Sequence, residues 1–310
     1  MENKALPEYP ILTLSILGAN WLELGKAVEV ADTVRADAIQ VDIADGHFIP
    51  TITLGERLIQ HIRQVSAIPL EVHLMVARPQ DYFRKLAEYG ANSVLIHPES
   101  TPILYDRIME ARSFGLSVGV ALNVATPVEV IEAVLPYVDM VTLMAISLGY
   151  SGTPFVPTTM AKITRLRAMI DATPDCRAII QVDGGIKQGN VHEITAAVMD
   201  NVLSSSAVYN QPDPVQAAKE LRAAMHKLTP NRQRNHYHLA RLERSVGEIA
   251  LALPETIDRI QDIQRELVTR NHLVNGMVYL EVTRGADTGR DFAFPKGDVK
   301  PTLVMFTSVK

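Results

Sequence analysis

The stretch "AIQVDIADGHFIP", residues 38–50, sets the first constraint on the fold. Its apolar, β-branched residues predict a buried strand, along which Gln40 and Asp42 stand two apart and so point to the same side. A carboxylate buried in a strand needs a partner or a chemical task, because desolvating its charge is otherwise costly. Two readings are open at this point. In one, the strand runs into a turn, "DGH" is ordinary turn chemistry, and Asp45 caps the following helix. In the other, Asp42 is an active-site acid or base.

Outward from this stretch, short β-rich runs alternate with amphipathic helical segments from residue 11 to about 227. Strands are predicted at "ILTLSIL" (11–17), "AIQVDIA" (38–44), "LEVHLMV" (70–76), "SVLIHPE" (93–99), "SVGVALN" (117–123), "MVTLMAI" (140–146), "AIIQVDG" (178–184) and "NVLSSSAVY" (201–209). Between them lie helix candidates such as "WLELGKAVEVADTV", "PQDYFRKLAEYG", "YDRIMEARSFG", "PVEVIEAVLPYV" and "TTMAKITRLRAMID", and "DPVQAAKELRAAMHK" closes the series. Such alternation implies parallel strands joined by crossover helices, so an α/β (β/α)8 TIM barrel is the leading architecture. An open doubly wound sheet is the runner-up, and it lacks a GxGxxG after the first strand.

The loop "SLGYSGTPFVPTT", 147–159, is long and rich in Gly, Ser, Thr and Pro, which fits a lid, a phosphate cradle or a plain surface loop. Composition changes again at "TPNRQRNHYH", residues 229–238. The predicted organisation is a barrel over 1–228, a linker over 229–237 and an appended α+β segment over 238–310.

The 310 residues carry 30 Lys+Arg against 35 Asp+Glu, a formal charge of -5. That balance gives no electrostatic footprint for nucleic acid or an anionic membrane. The single Cys176 excludes an intrachain disulfide framework and suits a reducing compartment. No secretory signal is read at "MENKALPEYP", and charges interrupt every apolar stretch before it reaches spanning length, so a cytoplasmic protein without membrane contact is expected.

In a parallel barrel, function belongs at the C-terminal ends of the strands. Ser15, Gln40, Asp42, His73 and Asp183 fall there. Two carboxylates and a His converging on one mouth would suit a divalent metal, or acid–base work from opposite sides of one substrate carbon. Gly184 and Gly185 end the seventh strand, Ser205 and Ser206 follow in the eighth, and Gly149 and Gly152 lie in the long loop. Small residues there let backbone N–H groups approach a phosphate, although tight turns alone would also explain the glycines.

These residues carry a family resemblance. "SILGANWLELG", "VDIADGHFIPTITLG", "HLMVARPQDY", "HPES", "LNVATP", "VTLMAISLGYSGTPFVPTTMAKI" and "QVDGGIKQGN" resemble, in order, the blocks of ribulose-phosphate 3-epimerase over residues 11–227. The resemblance implies a (β/α)8 barrel that interconverts D-ribulose 5-phosphate and D-xylulose 5-phosphate with a divalent metal such as Zn, Fe or Mn. It makes Asp42 and Asp183 the catalytic acid–base pair, and Gln40, Asp42, His73 and Asp183 the metal positions. Ser15, His73, Met75, Met144, Gly149, Gly152, Gly184, Gly185, Ser205 and Ser206 become the substrate-binding set. The family's first metal-binding histidine is replaced by Gln40, a pocket methionine by Ala44, the long-loop "NPG" by Ser147-Leu148-Gly149, the following "GG" by Ser151-Gly152, and the eighth-strand "GS" by Ser205-Ser206. Another ketose phosphate, such as a hexulose 6-phosphate, and phosphosugar binding without turnover are the alternatives.

The tail resembles part of the small domain of D-amino-acid transaminase and related class IV aminotransferases in "HLARLERSVGEIALALP", "GMVYLEVTRGADTGRDFAFP" and "VKPTLVMFTS". Arg290 matches that family's carboxylate-binding arginine, and Phe292 replaces its neighbouring histidine. The large domain with the Schiff-base lysine has no counterpart, so pyridoxal phosphate is not expected. Unpaired strand edges in the tail favour contacts between copies, and a homo-oligomer is expected.

Overall fold

The structure is a computed structural model that describes residues 10–148, 154–174, 176–196, 199–225, 242, 253–271, 276–283 and 302–309. The chain divides into two compact units, Met1–His226 and Lys227–Lys310. In the first, eight parallel strands close into a barrel in sequence order: β1 (Ile11–Ser15), β2 (Ala38–Ala44), β3 (Leu70–Met75), β4 (Ser93–Ile96), β5 (Ser117–Leu122), β6 (Met140–Met144), β7 (Ile179–Asp183) and β8 (Asn201–Ser204). β1 pairs with both β2 and β8, which closes the ring and leaves no edge strand. The architecture is a TIM barrel.

Period-2 alternation builds two separate packing zones. Ile39, Val41 and Ile43 of β2, with Leu70, Val72 and Leu74 of β3, belong to one large cluster shared with the surrounding helices. That cluster takes in Ala27, Val28 and Ala31 of α1 (Leu24–Thr33), Ile59 and Ile62 of α2 (Arg57–Val65), and Phe83 and Leu86 of α3 (Phe83–Glu88). Burying each such aliphatic chain contributes about 1.5–3 kcal/mol, which fixes the register of the strands against the helices. The alternate residues face the barrel interior, where Leu95, Ala121 and Met140 form a small apolar group and Ala44, Ile49, Met75, Met144 and Leu148 another.

Several boundaries differ from the sequence reading for local reasons. β4 stops at Ile96 because Pro98 opens a 3-10 turn over Pro98–Ser100. The run "NVLSSSAVY" splits: β8 ends at Ser204, and Ser206 begins a one-turn helix, Ser206–Tyr209, instead of continuing the strand. Ser205 holds φ −132°, ψ −86°, a turn conformation that ends the extended run. "PVEVIEAVLPYV" forms 3-10 structure over Val128–Tyr137, where β-branched residues and Pro136 disfavour a regular α-helix. α2 begins at Arg57, too far along for Asp45 to cap it. Asp45 instead accepts main-chain N–H groups from His47, Phe48 and Ala77, and these bonds outweigh its burial and hold its carboxyl below the usual range.

The second unit contains a helix over Ile257–Arg270, capped by Thr256, and an antiparallel pair, β9 (Gly276–Thr283) and β10 (Thr302–Val309). Tyr279 and Phe306, opposite each other in that register, stack with ring centroids 5.0 Å apart. The expected linker over 229–237, together with Arg290 and Phe292, lies outside the described residues. None of the described helices is long and apolar enough to cross a membrane.

Candidate active site

Alternate interior residues of β2, β3, β6 and β7 fall into two tiers. The lower tier is Gln40, Glu71, Thr142 and Gln181; Asp42, His73, Met144 and Asp183 stand two residues further along, roughly 6.5 Å nearer the C-terminal mouth by the rise of a strand. In the lower tier Glu71 accepts from Gln40 Nε2 at 2.9 Å and from Gln181 Nε2 at 3.1 Å, while Thr142 Oγ1 donates to Gln181 Oε1 at 2.7 Å. Burial raises the Glu71 carboxyl to about 6, against the two amide hydrogen bonds that favour its charge. Gln40 Oε1 is buried without a hydrogen-bond partner.

The upper tier is closer-set and richer in charge. Asp42, paired in register with His73, accepts from the Ser15 hydroxyl on Oδ2 at 2.8 Å and faces His73 Nδ1 with Oδ1 at 2.9 Å. Asp183 Oδ2 lies 3.9 Å from the same ring nitrogen. One ligand atom from each of Asp42, His73 and Asp183 can be chosen so that all lie within 4.8 Å of one another, a set that could hold a divalent metal. Burial, with the neighbouring Asp42 charge adding to it, pushes Asp183 up to about 7 although His73 pulls the other way. For His73, burial disfavours the cation, but the hydrogen bond and charge of Asp42, together with Asp183 and Glu71, outweigh it and leave the ring raised.

His73 Nε2 lies 2.8 Å from Nε2 of His97, which directly follows β4. Burial pulls His97 down to about 4, so the ring is neutral near pH 7. Glu99 faces its Nδ1 from 3.4 Å and is held by the Asn123 N–H at 3.1 Å and the Thr126 hydroxyl. Although burial opposes its charge, the His97, Thr126 and main-chain contacts lower its carboxyl to about 2.

Around the tier, Met75 and Met144 pack with Ala44, Ile49 and Leu148 at the mouth. Gly184 and Gly185 follow β7 with φ +102° and +68°, which L side chains rarely adopt. A Cβ would lie 2.4 Å from Ile146 Cγ1 at Gly184 and 2.8 Å from the Phe155 nitrogen at Gly185. Ser205 Oγ donates to the Ser15 carbonyl at 2.7 Å and accepts the Gly18 N–H at 2.8 Å, tying the end of β1 to that of β8; Ser206 starts the short helix beside it. Gly149 and Gly152 lie outside the described residues. Glu71, Gln181, His97 and Glu99 escaped the sequence reading. The spacing that singled out Gln40 and Asp42 also relates Glu71 to His73 and Gln181 to Asp183, and His97 stands at a strand end.

A closed eight-stranded barrel with carboxylates and imidazoles gathered at its C-terminal end defines a TIM-barrel enzyme. The model of the ribulose-phosphate 3 epimerase family matches residues 11–209, and the chain belongs to that family, whose members are isomerases. It is 35% identical over 210 residues to the ribulose-phosphate 3-epimerase of Bacillus subtilis, a match covering 68% of this chain and 97% of that one. With the chloroplastic ribulose-5-phosphate-3-epimerase of Arabidopsis thaliana it shares 35% identity over 216 residues, 69% of this chain and 76% of the relative. Orotidine 5'-phosphate decarboxylase from Pyrococcus horikoshii superposes with a TM-score of 0.52 at 18% identity, covering 70% of this chain and all of that one, a likeness of fold.

Proposed function

We propose that the chain epimerises a ketose phosphate at C3, interconverting D-ribulose 5-phosphate and D-xylulose 5-phosphate. The observation that carries this reading is the convergence of Asp42, His73 and Asp183 at the barrel mouth. In the proposed mechanism Asp42 takes the C3 proton from one face of the sugar and Asp183 returns a proton to the other; the reverse reaction exchanges their roles. The Ser15 hydroxyl donates to Oδ2 of Asp42, so its orientation is set before substrate arrives. Asp183, raised by burial and by the Asp42 charge, is suited to carry a proton while its partner accepts one.

The donor set suits a divalent cation such as zinc, iron or manganese: two carboxylates and an imidazole within one ion's reach, with the unpartnered Gln40 amide oxygen in the tier below. Held there, the cation would supply positive charge to the ketose oxygens as C3 loses its proton. The phosphate is assigned to the N–H groups beyond β7 and β8, around Gly184, Gly185, Ser205 and Ser206 and with Gly149 and Gly152 in the long loop; Met75 and Met144 line the sugar pocket. Ala44 leaves more room at the mouth than a methionine would, which favours a second reading as epimerase of a longer ketose such as a hexulose 6-phosphate. The experiment is incubation of the metal-supplemented protein with each ketose phosphate in deuterated water. Conversion of D-ribulose 5-phosphate with deuterium entering at C3 is expected; neither epimer nor deuterium from any ketose phosphate would leave a binding barrel as the answer.

A further inference from the structure

We propose that Glu99, acting through His97, fixes the tautomer of His73 so that Nδ1 presents its electron pair to the space between Asp42 and Asp183. His97 and Glu99 are thereby positioning residues for the metal site, an inference that rests on the metal reading above.

Nε2 of His73 and Nε2 of His97, 2.8 Å apart, can bond only if one carries the proton and the other accepts it. The direction is decided on the far side of His97, where Nδ1 faces Glu99 Oε2. Nδ1 is buried without a hydrogen-bond partner, and the group that faces it is this carboxylate, 3.4 Å away, which can only accept and whose charge favours a proton on the nearer ring nitrogen. His97 therefore keeps its proton on Nδ1 and accepts on Nε2. His73 then donates from Nε2, and its Nδ1 electron pair points at Asp42 Oδ1, 2.9 Å away, and Asp183 Oδ2, 3.9 Å away. Electron pairs so close require a positive charge among them, supplied by a proton or by a cation. An imidazole ligand whose other nitrogen is held by an acceptor is a general device of metal sites, and here the acceptor is a second imidazole faced by a carboxylate.

Glu99 is itself held. Its Oε1 takes the Asn123 N–H and the Thr126 hydroxyl, and Lys162 Nζ ties that loop through the carbonyls of Asn123, at 2.9 Å, and Val124, at 3.4 Å. This anchoring makes the isosteric substitution the damaging one. A main-chain N–H only donates, so in Glu99→Gln the new amide turns its oxygen to Asn123 and its NH2 to His97. Every proton in the relay then reverses, and His73 Nδ1 carries hydrogen toward the metal position. Glu99→Ala removes the anchor without reversing it.

The test measures zinc affinity of the full chain by competition with a chromophoric chelator. The site of the His97 proton is read separately, from nitrogen-15 shifts of histidine-labelled protein with and without zinc. Glu99→Gln is expected to bind zinc about 100-fold more weakly and Glu99→Ala about 10-fold, the reverse of the ranking a space-filling role gives. The His97 proton is expected on Nδ1 in the wild type and on Nε2 in Glu99→Gln. A folded Glu99→Gln protein with wild-type zinc affinity, or a wild-type His97 protonated on Nε2, would overturn the proposal while leaving the metal reading intact. A wild type that binds no zinc would sink the metal reading, and the His97 tautomer would still decide the relay.

Discussion

The two tiers of the barrel interior stand on the same strands, two residues apart, and each contains a buried carboxyl. In the lower tier Glu71 is surrounded by the amides of Gln40 and Gln181, with Thr142 completing the chain, so nearly every polar group has a partner inside the protein. In the upper tier Asp42, Asp183 and His73 bring acceptors and electron pairs together without enough protons to go round. The difference teaches where to look for chemistry: a buried polar group satisfied by neutral neighbours holds the barrel together, whereas one left in like company is poised for a proton, a metal or a substrate. The lower tier is a platform and the upper tier a tool.

The contrast can be broken or sharpened by substitution. The largest effect is expected at Asp42. Asp42→Asn keeps the volume and removes the base, so kcat for ketose phosphate epimerisation should fall by about a thousandfold, within the usual range for a general base. A variant turning over at the parental rate would remove Asp42 from the mechanism.

In the lower tier the effect to look for is a pH dependence of stability carried by Glu71. Burial raises its carboxyl from 4.5 to about 6, so between those values the folded state binds more protons than the unfolded state, and stability drains away as pH rises through that window. Comparing urea unfolding of the wild type with Glu71→Gln, the wild type should lose about 2 kcal/mol more between pH 4 and pH 8. Parallel curves would show that Glu71 does not titrate there.

A smaller gain is expected at Gln40, whose amide oxygen is unpartnered. Imidazole donates to zinc more strongly than an amide, so Gln40→His should tighten zinc binding about tenfold in a direct titration. Unchanged affinity would take residue 40 out of the metal set. The smallest effect belongs to Thr142→Val, which deletes the hydroxyl that donates to Gln181. It should cost about 1 kcal/mol in unfolding free energy and leave kcat as it was, because the damage stays in the lower tier.

Much of this arrangement is legible in the sequence because two periodicities carry it. Alternation within "AIQVDIA" fixes which side chains enter the barrel, and the succession of strands and helices fixes the closed topology. Asp42, His73 and Asp183 follow from those two facts. Glu71 and Gln181 obey the same spacing but resemble strand-start polar residues until the ring closes and brings β3 and β7 to one carboxylate. His97 and Glu99 are harder still. They flank Pro98, where the strand pattern stops, and their link to His73 depends on how β4 leans against β3, information no local pattern holds. "SSSAVY" misleads for a similar reason: its apolar residues suit a strand, and only the Ser205 turn, tied to Ser15 and Gly18, converts it to a helix.

For an engineer seeking a new substrate, the bend after β7 divides the mouth into fixed and adjustable parts. Any side chain at Gly184 or Gly185 meets both an unfavourable φ and, in the second case, the backbone of Phe155, which cannot swing away as a side-chain tip can. Those two codons offer no library worth building. Ala44, Met75 and Met144 lie among side chains that can repack, so the freedom to retune the proposed sugar pocket is concentrated on the ends of β2, β3 and β6.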